Sequence, residues 1–190
     1  MLPIAPLMHE HRLIERMLTL MQLELQRIKE NVAVDPEFAF VDPVFIDIAV
    51  DFSRAYADRC HHGKEEDILF EELTKKDLSP EHRRVMVELI QEHVWAREAT
   101  GRLLKAKENY LREQKGALEE ILSLLEQLTE FYPRHIDKED RRFFIPVMDY
   151  FTQEEKNAML EQMWEFDRKM IHDKYTGIVE AIENRRACRI

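Results

Sequence analysis

The feature that most constrains this chain is a motif written twice. His61-His62-Gly63-Lys64-Glu65-Glu66-Asp67-Ile68-Leu69-Phe70 is answered by His135-Ile136-Asp137-Lys138-Glu139-Asp140-Arg141-Arg142-Phe143-Phe144. In each copy a His is followed four residues later by a Glu, then by a second acid, then by two large apolar residues at matching offsets. Residues four apart on a helix lie one above the other, so each copy projects an imidazole and a carboxylate side by side. Neutral His and ionised Glu are ligands for first-row transition metals, and one Glu can reach two ions. A single His-x-x-x-Glu on an exposed helix is only a surface pair worth roughly 0.2–0.5 kcal/mol. What separates the two readings is whether further histidines fall on buried helix faces.

The composition makes this a helical question. Only 4 Gly and 7 Pro occur among 190 residues, and long runs are built from Leu, Glu, Lys, Arg, Gln and Met. Such a chain is expected to be all-α, with one domain spanning residues 1–190 and a sizeable core. The formal charge, 28 − 38 = −10, argues against a nucleic-acid partner. Cys60 and Cys188 form no spaced pair and read as reduced intracellular thiols. No segment approaches the ~18 apolar residues needed to cross a bilayer, and the start of the chain lacks a basic region followed by an apolar run. A soluble, cytoplasmic protein with no membrane partner is expected.

Helical periodicity places the remaining histidines. Ile4, Leu7, Ile14, Leu18, Met21, Leu25 and Ile28 step by three and four, and the vacant step holds His11. His9 falls about 200° away at ~3.6 residues per turn and is expected to face solvent. Asn31 to Asp42 reads as a connector, and Asp42-Pro43 opens a second helix running to about Leu73. An ideal wheel groups His62 and Glu66 with Val44, Ile48, Ala55, Leu69 and Leu73, whereas the repeat selects His61 and Glu65. We follow the repeat, because Gly63 permits local bending.

Ser79-Pro80 starts a third helix whose stripe is Met86, Leu89, His93, Ala96, Thr100 and Leu103, with His82 expected at the surface. After the break at Gly116, a fourth stripe runs Leu118, Ile121, Leu125, Leu128, Tyr132, His135, Glu139, with Phe143 on the same face. Pro133 is expected to kink this helix just before the His-Glu pair, and Pro146 to help end it. Thr152-Gln153-Glu154-Glu155 is a capping box for a last helix through Met159, Met163, Phe166 and Met170 toward Ile182. That helix is expected to pack outside a four-helix core, and His172, off its stripe, is given no role. The core would span about residues 4–148 and the extra helix about 153–186.

Four histidines, one from each of four helices, thus join two glutamates on buried faces. Unpaired, each buried carboxylate would cost several kcal/mol against a total stability of about 5–15 kcal/mol. Metal ions remove that objection by accepting the imidazole lone pairs and neutralising the carboxylates. A metal-free His-Glu network would instead need donors and acceptors to balance throughout. Ferritin-type di-iron bundles use Glu-x-x-His, and none of the eight histidines has a Glu three residues before it.

The order His, His-x-x-x-Glu, His, His-x-x-x-Glu on four successive helices resembles the hemerythrin-like family, the HHE cation-binding domain. The resemblance begins at Leu7-Met8-His9-Glu10-His11 and covers almost the whole chain. It implies an up-down four-helix bundle holding two non-haem iron ions with an oxo or hydroxo bridge. On that resemblance His11 and His61 would ligate one iron, His93 and His135 the other, and Glu65 and Glu139 would bridge them. Oxygen-carrying members place two His four apart on the third helix, where this chain has Leu89 and Arg97 around His93. They also end with His-x-x-x-x-Asp, against His135-x-x-x-Glu139 here.

The expected partner is a small ligand such as O2, NO or peroxide, with Leu69, Met86 and Phe143 lining a dry pocket. The rival readings are a di-iron enzyme that reduces peroxide or NO or repairs iron centres, and an interaction module responding to iron or oxygen.

Overall fold

The computed structural model describes residues 2–35 and 40–187, with side chains described as far as Met170. Pro36 of the expected connector, His172, Ile182 and Cys188 lie outside the residues whose side chains are described. The described residues are mostly helical, with no strand among them. α1 is Ile4–Val34, so the first helix continues beyond Asn31, where the connector was expected to begin. A second helical rod starts with α2 (Pro43–Phe52), passes through π-helical stretches at Ser53–His62 and Glu65–Phe70, and ends in α3 (Glu71–Thr74). α4 is Pro80–Leu111 and α5 is Ala117–Lys138. A π-helical turn at Glu139–Phe143, α6 (Phe144–Val147) and a 3-10 turn at Met148–Tyr150 lead to α7 (Gln153–Ala187).

Local chemistry explains the helix starts. The Asp42 carboxylate accepts from the Val44 and Phe45 amides at 2.9 and 3.3 Å, with Pro43 at the first helical position. Ser79 Oγ accepts from the His82 amide at 3.2 Å, ahead of α4. Gly116, at φ 83°, supplies the left-handed residue that begins α5. Thr152 and Glu155 close a reciprocal capping box at α7. α5 runs through Pro133, which cannot donate a backbone hydrogen bond, to Lys138, and a π-helical turn begins at Glu139.

α1 packs on α5, α5 on α4, α4 on the second rod, and the rod closes the ring against α1. α7 packs on the outer side of the rod's π-helical stretches. Two apolar clusters fill the ring. One gathers Ile14, Leu18, Ile46, Ala57, Ala96, Leu128 and Tyr132; the other gathers Leu7, Leu69, Leu89, Phe143, Phe144 and Met163. Between them lies a polar layer, with His11 between Leu7 and Ile14 and His93 between Leu89 and Ala96. No described helix is long and apolar enough to cross a membrane.

The second rod departs from the ideal wheel. Val44 and Ile48 are 63% and 54% exposed, while Ile46, Ala49 and Val50 are buried. The start of the apolar stripe that favoured His62 over His61 is therefore an outer face, whereas its far end, Leu69 and Leu73, is fully buried. The π-helical stretches close i→i+5 rather than i→i+4 hydrogen bonds, so each turn holds more residues and neighbouring positions swing less far apart. As a result both His61 and His62 are buried. Gly63 itself is helical, at φ −59°. Its bareness makes room for α7, because a Cβ there would meet Phe166 Cζ at 2.9 Å.

Candidate metal centre

Every helix of the ring sends a side chain into the polar layer. His11, His61, Glu65 and Glu139 bring ligand atoms within 4.8 Å of one another, and so do His62, His93 and His135. The glutamates stand between the two groups. Glu65 Oε1 lies 3.4 Å from His61 Nε2 while its Oε2 lies 3.3 Å from His93 Nε2. Glu139 Oε2 lies 3.2 Å from His11 Nε2 while its Oε1 lies 3.0 Å from His135 Nε2 and 3.6 Å from His93 Nε2. Each carboxylate thus offers one oxygen to each histidine group.

The outer nitrogens of four imidazoles are all anchored by acids, and each acid is held by a cation. His11 Nδ1–H donates to Asp140 at 2.8 Å, and Arg12 holds Asp140. His61 Nδ1–H donates to Glu10 at 3.0 Å, and Lys64 holds Glu10. His93 Nδ1–H donates to Glu66 at 2.6 Å, and Arg97 holds Glu66 at 2.7 Å. His135 Nδ1–H donates to Glu92 at 2.8 Å, and Lys138 holds Glu92. A proton fixed on each Nδ1 leaves each Nε2 lone pair facing the centre, which is the tautomer a metal ligand needs.

Inside this ring the polar groups do not satisfy one another. Among the described residues, the buried side-chain atoms without a hydrogen-bond partner are both nitrogens of His62, both oxygens of Glu65 and of Glu139, and the Nε2 atoms of His93 and His135. An orphaned buried group costs about 1–3 kcal/mol, so a metal-free layer of this kind would consume much of a domain's stability. His11 Nε2 and His61 Nε2 face each other at 2.8 Å. Two nitrogens bound at ~2.1 Å and a right angle to one ion would lie about 3 Å apart. The donor set and its orphaned atoms fit a pair of cations.

The electrostatics agree. Burial, reinforced by the neighbouring Glu139 carboxylate, pushes Glu65 well above the ordinary carboxylate range. Burial would raise Glu139 too, but His135, His11 and His93 hold it well below that range. Burial opposes a charge on His11 and His135, yet Asp140 and Glu139 raise the first to about 9, and Glu139 and Glu92 raise the second to about 10. Burial lowers His61 to about 4 and drives His62 well down. Without a cation, protons must supply the positive charge that the two carboxylates require.

All six sequence-nominated residues, His11, His61, Glu65, His93, His135 and Glu139, meet in this layer. His62 joins them as an addition to His61, not a replacement, and Glu66 turns outward to His93 and Arg97. His9 is exposed, and His82 is half-buried with Nδ1 at 2.9 Å from the Tyr150 hydroxyl. Leu69, Met86 and Phe143 are packed into the apolar core. The anchoring acids and cations were not singled out beforehand. The repeat carried a trace of them, because Lys64 matches Lys138 and Glu66 matches Asp140 at equal offsets.

A third acidic group, Glu10, Cys60 and Asp167, lies nearby. Lys64 already fills it, bonded to Glu10 and, at 2.5 Å, to Asp167 of α7. Burial, helped by Glu10, pushes the Cys60 thiol up to about 12, so it stays protonated.

A closed ring of helices around five imidazoles and two carboxylates defines a helical, metal-cation-binding protein. The family model described as Hemerythrin HHE cation binding domain matches residues 2–147, and the chain belongs to this family. Neither the curated proteins nor the solved structures contain a match to the chain. α7 lies beyond the matched residues.

Proposed function

We propose that this chain is a di-iron protein that binds or senses a small ligand such as O2, NO or peroxide. The bundle would be an up-down four-helix arrangement of α1, the second rod, α4 and α5, with α7 outside it. The observation that carries the reading is the placement of Glu65 and Glu139, each with one oxygen toward each histidine group. His11 and His61 would hold one ion, and His62, His93 and His135 the other. The two glutamates would serve both. When bound, two iron ions supply redox electrons and Lewis acidity to a small ligand.

The chain's own residues prepare that chemistry. The four Nδ1–H···carboxylate bonds fix ring orientation and make each Nε2 a stronger donor. Apolar layers flank the site, including Leu7, Leu89 and Phe143 on one side and Ile14, Ala96 and Leu128 on the other. Imidazole and carboxylate ligands suit iron, and they suit manganese and zinc as well. A buried, unpaired Cys60 accords with a reducing, cytoplasmic setting.

Metal analysis of aerobically purified protein, with its visible spectrum before and after reduction, tests this reading. About two irons per chain with absorption that bleaches on reduction is the expected result. Protein that takes up no metal after anaerobic reconstitution would overturn it.

A further inference from the structure

A cavity of about 330 Å³ opens between the second rod, α4 and α5 and ends on the imidazole of His62. That space has room for more than one water or a diatomic ligand. Its walls are rich in donors. The hydroxyls of Tyr132 and Thr100, both 4% exposed, line it without a hydrogen bond to any described residue. His62, 1% exposed, can give one nitrogen to a metal, and its Nδ1 has no hydrogen-bond partner, with Asp58 no nearer than 3.5 Å.

Positive charge surrounds the opening. Arg54 and Arg59 line the cavity from the second rod, are exposed, and form no ion pair among the described residues. Arg97 is engaged by Asp58 at 2.6 Å and Glu66 at 2.7 Å. Asp58, the acid in this wall, is thereby neutralised, leaving two uncommitted guanidiniums on a chain of net charge −10. Guanidinium groups read planar two-oxygen anions through paired N–H donors.

We propose that this cavity is a binding site for a small planar oxyanion, a carboxylate or an inorganic anion of similar shape, seated between the Arg54–Arg59 rim and the Tyr132 hydroxyl, against His62. The site borders the proposed metal centre and rests on that reading only in that His62 is shared between the two. The pocket itself is made by the chain. The anion sits beside the imidazole of His62 and leaves the metal positions filled.

The test is calorimetric titration of the metal-loaded, full-length protein with nitrite and with acetate, at low and at 0.5 M salt, with metal content measured on each sample. Expected is saturable binding of at least one probe, weakened by salt. Arg54→Gln/Arg59→Gln should weaken it about tenfold or more, as expected for lost charge-assisted hydrogen bonds. Tyr132→Phe should weaken it several-fold, the loss of one hydrogen bond of about 1 kcal/mol. Metal content should be unchanged in both variants. Binding by nitrite alone assigns the inorganic source, and binding by acetate alone the organic one. Absence of binding by both, or binding that shifts the visible bands yet ignores all three substitutions, would overturn the proposal. Anion binding by protein that takes up no metal after anaerobic reconstitution would keep this site and remove the di-iron reading, whereas metal without anion binding would do the reverse.

Discussion

The two copies of the His-x-x-Lys-Glu-acid motif perform the same inner task in different surroundings. In both, the first His gives its Nδ1–H to a glutamate that the motif's own Lys holds: His61–Glu10–Lys64 and His135–Glu92–Lys138. In both, the second acid reaches the histidine of another helix, Glu66 to His93 and Asp140 to His11. The copies then diverge. Lys138 is 18% exposed and bonds Glu88 at the surface, whereas Lys64 is fully buried and bonds Asp167 of α7. The second position differs as well, with His62 facing the layer in one copy and Ile136 joining the apolar core in the other. The comparison teaches that ligand geometry is a property of the motif, and that burial and access are set by what packs outside it.

The largest effects should be common to both copies. Glu65→Ala and Glu139→Ala are each expected to abolish binding at both metal positions, because each removes an oxygen from both histidine groups. Retention of one full metal equivalent in either variant would break the equivalence of the glutamates. Stripping the metal should itself lower the unfolding temperature, since binding energy to a folded site is folding energy.

Stability should then separate the copies. Lys64→Met leaves Glu10 as a buried, uncompensated carboxylate and is expected to cost about 3–5 kcal/mol. Lys138→Met removes a partly exposed pair and is expected to cost about 1 kcal/mol or less. Chemical denaturation of both variants measures the difference. Equal losses would mean that α7 does not bury its copy in solution.

The site's inner ring was largely legible in the sequence, and its outer ring was not. His11 and His93 stood out because they fill steps in apolar stripes, and His61, Glu65, His135 and Glu139 because the chain repeats their spacing. The structure buries both His61 and His62, so burial does not choose between them. An ideal wheel assumes a constant turn, and the π-helical stretches around Gly63 turn both imidazoles inward. Val44 and Ile48 misled the wheel further by being apolar and exposed. Glu10, Lys64, Glu92 and Lys138 were hidden for a different reason. A charged residue beside a ligand position looks like solvent-facing surface until its partner on another helix is known. α7 was foreseen as a helix from its capping box, but its role as counterion to Lys64 through Asp167 depends on a tertiary contact 103 residues away.

Removing the anchoring acids compares the copies more finely. Glu10→Gln and Glu92→Gln should each weaken metal affinity by about 10–100-fold, the usual effect of losing an imidazole's outer partner. A difference is expected in stability. Glu92→Gln leaves Lys138 with Glu88, whereas Glu10→Gln leaves buried Lys64 with Asp167 alone. Metal competition titrations and unfolding curves on the same samples separate the two effects. Equal affinity losses with unequal stabilities would sharpen the distinction between inner geometry and outer packing.

The smallest effect should come from the third position of the motif, Gly63 in one copy and Asp137 in the other. In a helix, replacing Gly by Ala gains roughly 1 kcal/mol of propensity. At Gly63 that gain meets Phe166, whose ring tip would lie 2.9 Å from the new Cβ. The ring is only half-buried and can swing outward, so Gly63→Ala should change global stability by less than about 1 kcal/mol while loosening α7 against the rod. Asp137→Ala meets no such neighbour and should leave α7 as it is. Limited proteolysis and hydrogen exchange across residues 153–170 read the difference directly. If Gly63→Ala leaves α7 as protected as before, the glycine is not what lets that helix approach, and the buried Met159 and Met163 together with the Lys64–Asp167 pair hold α7 in place.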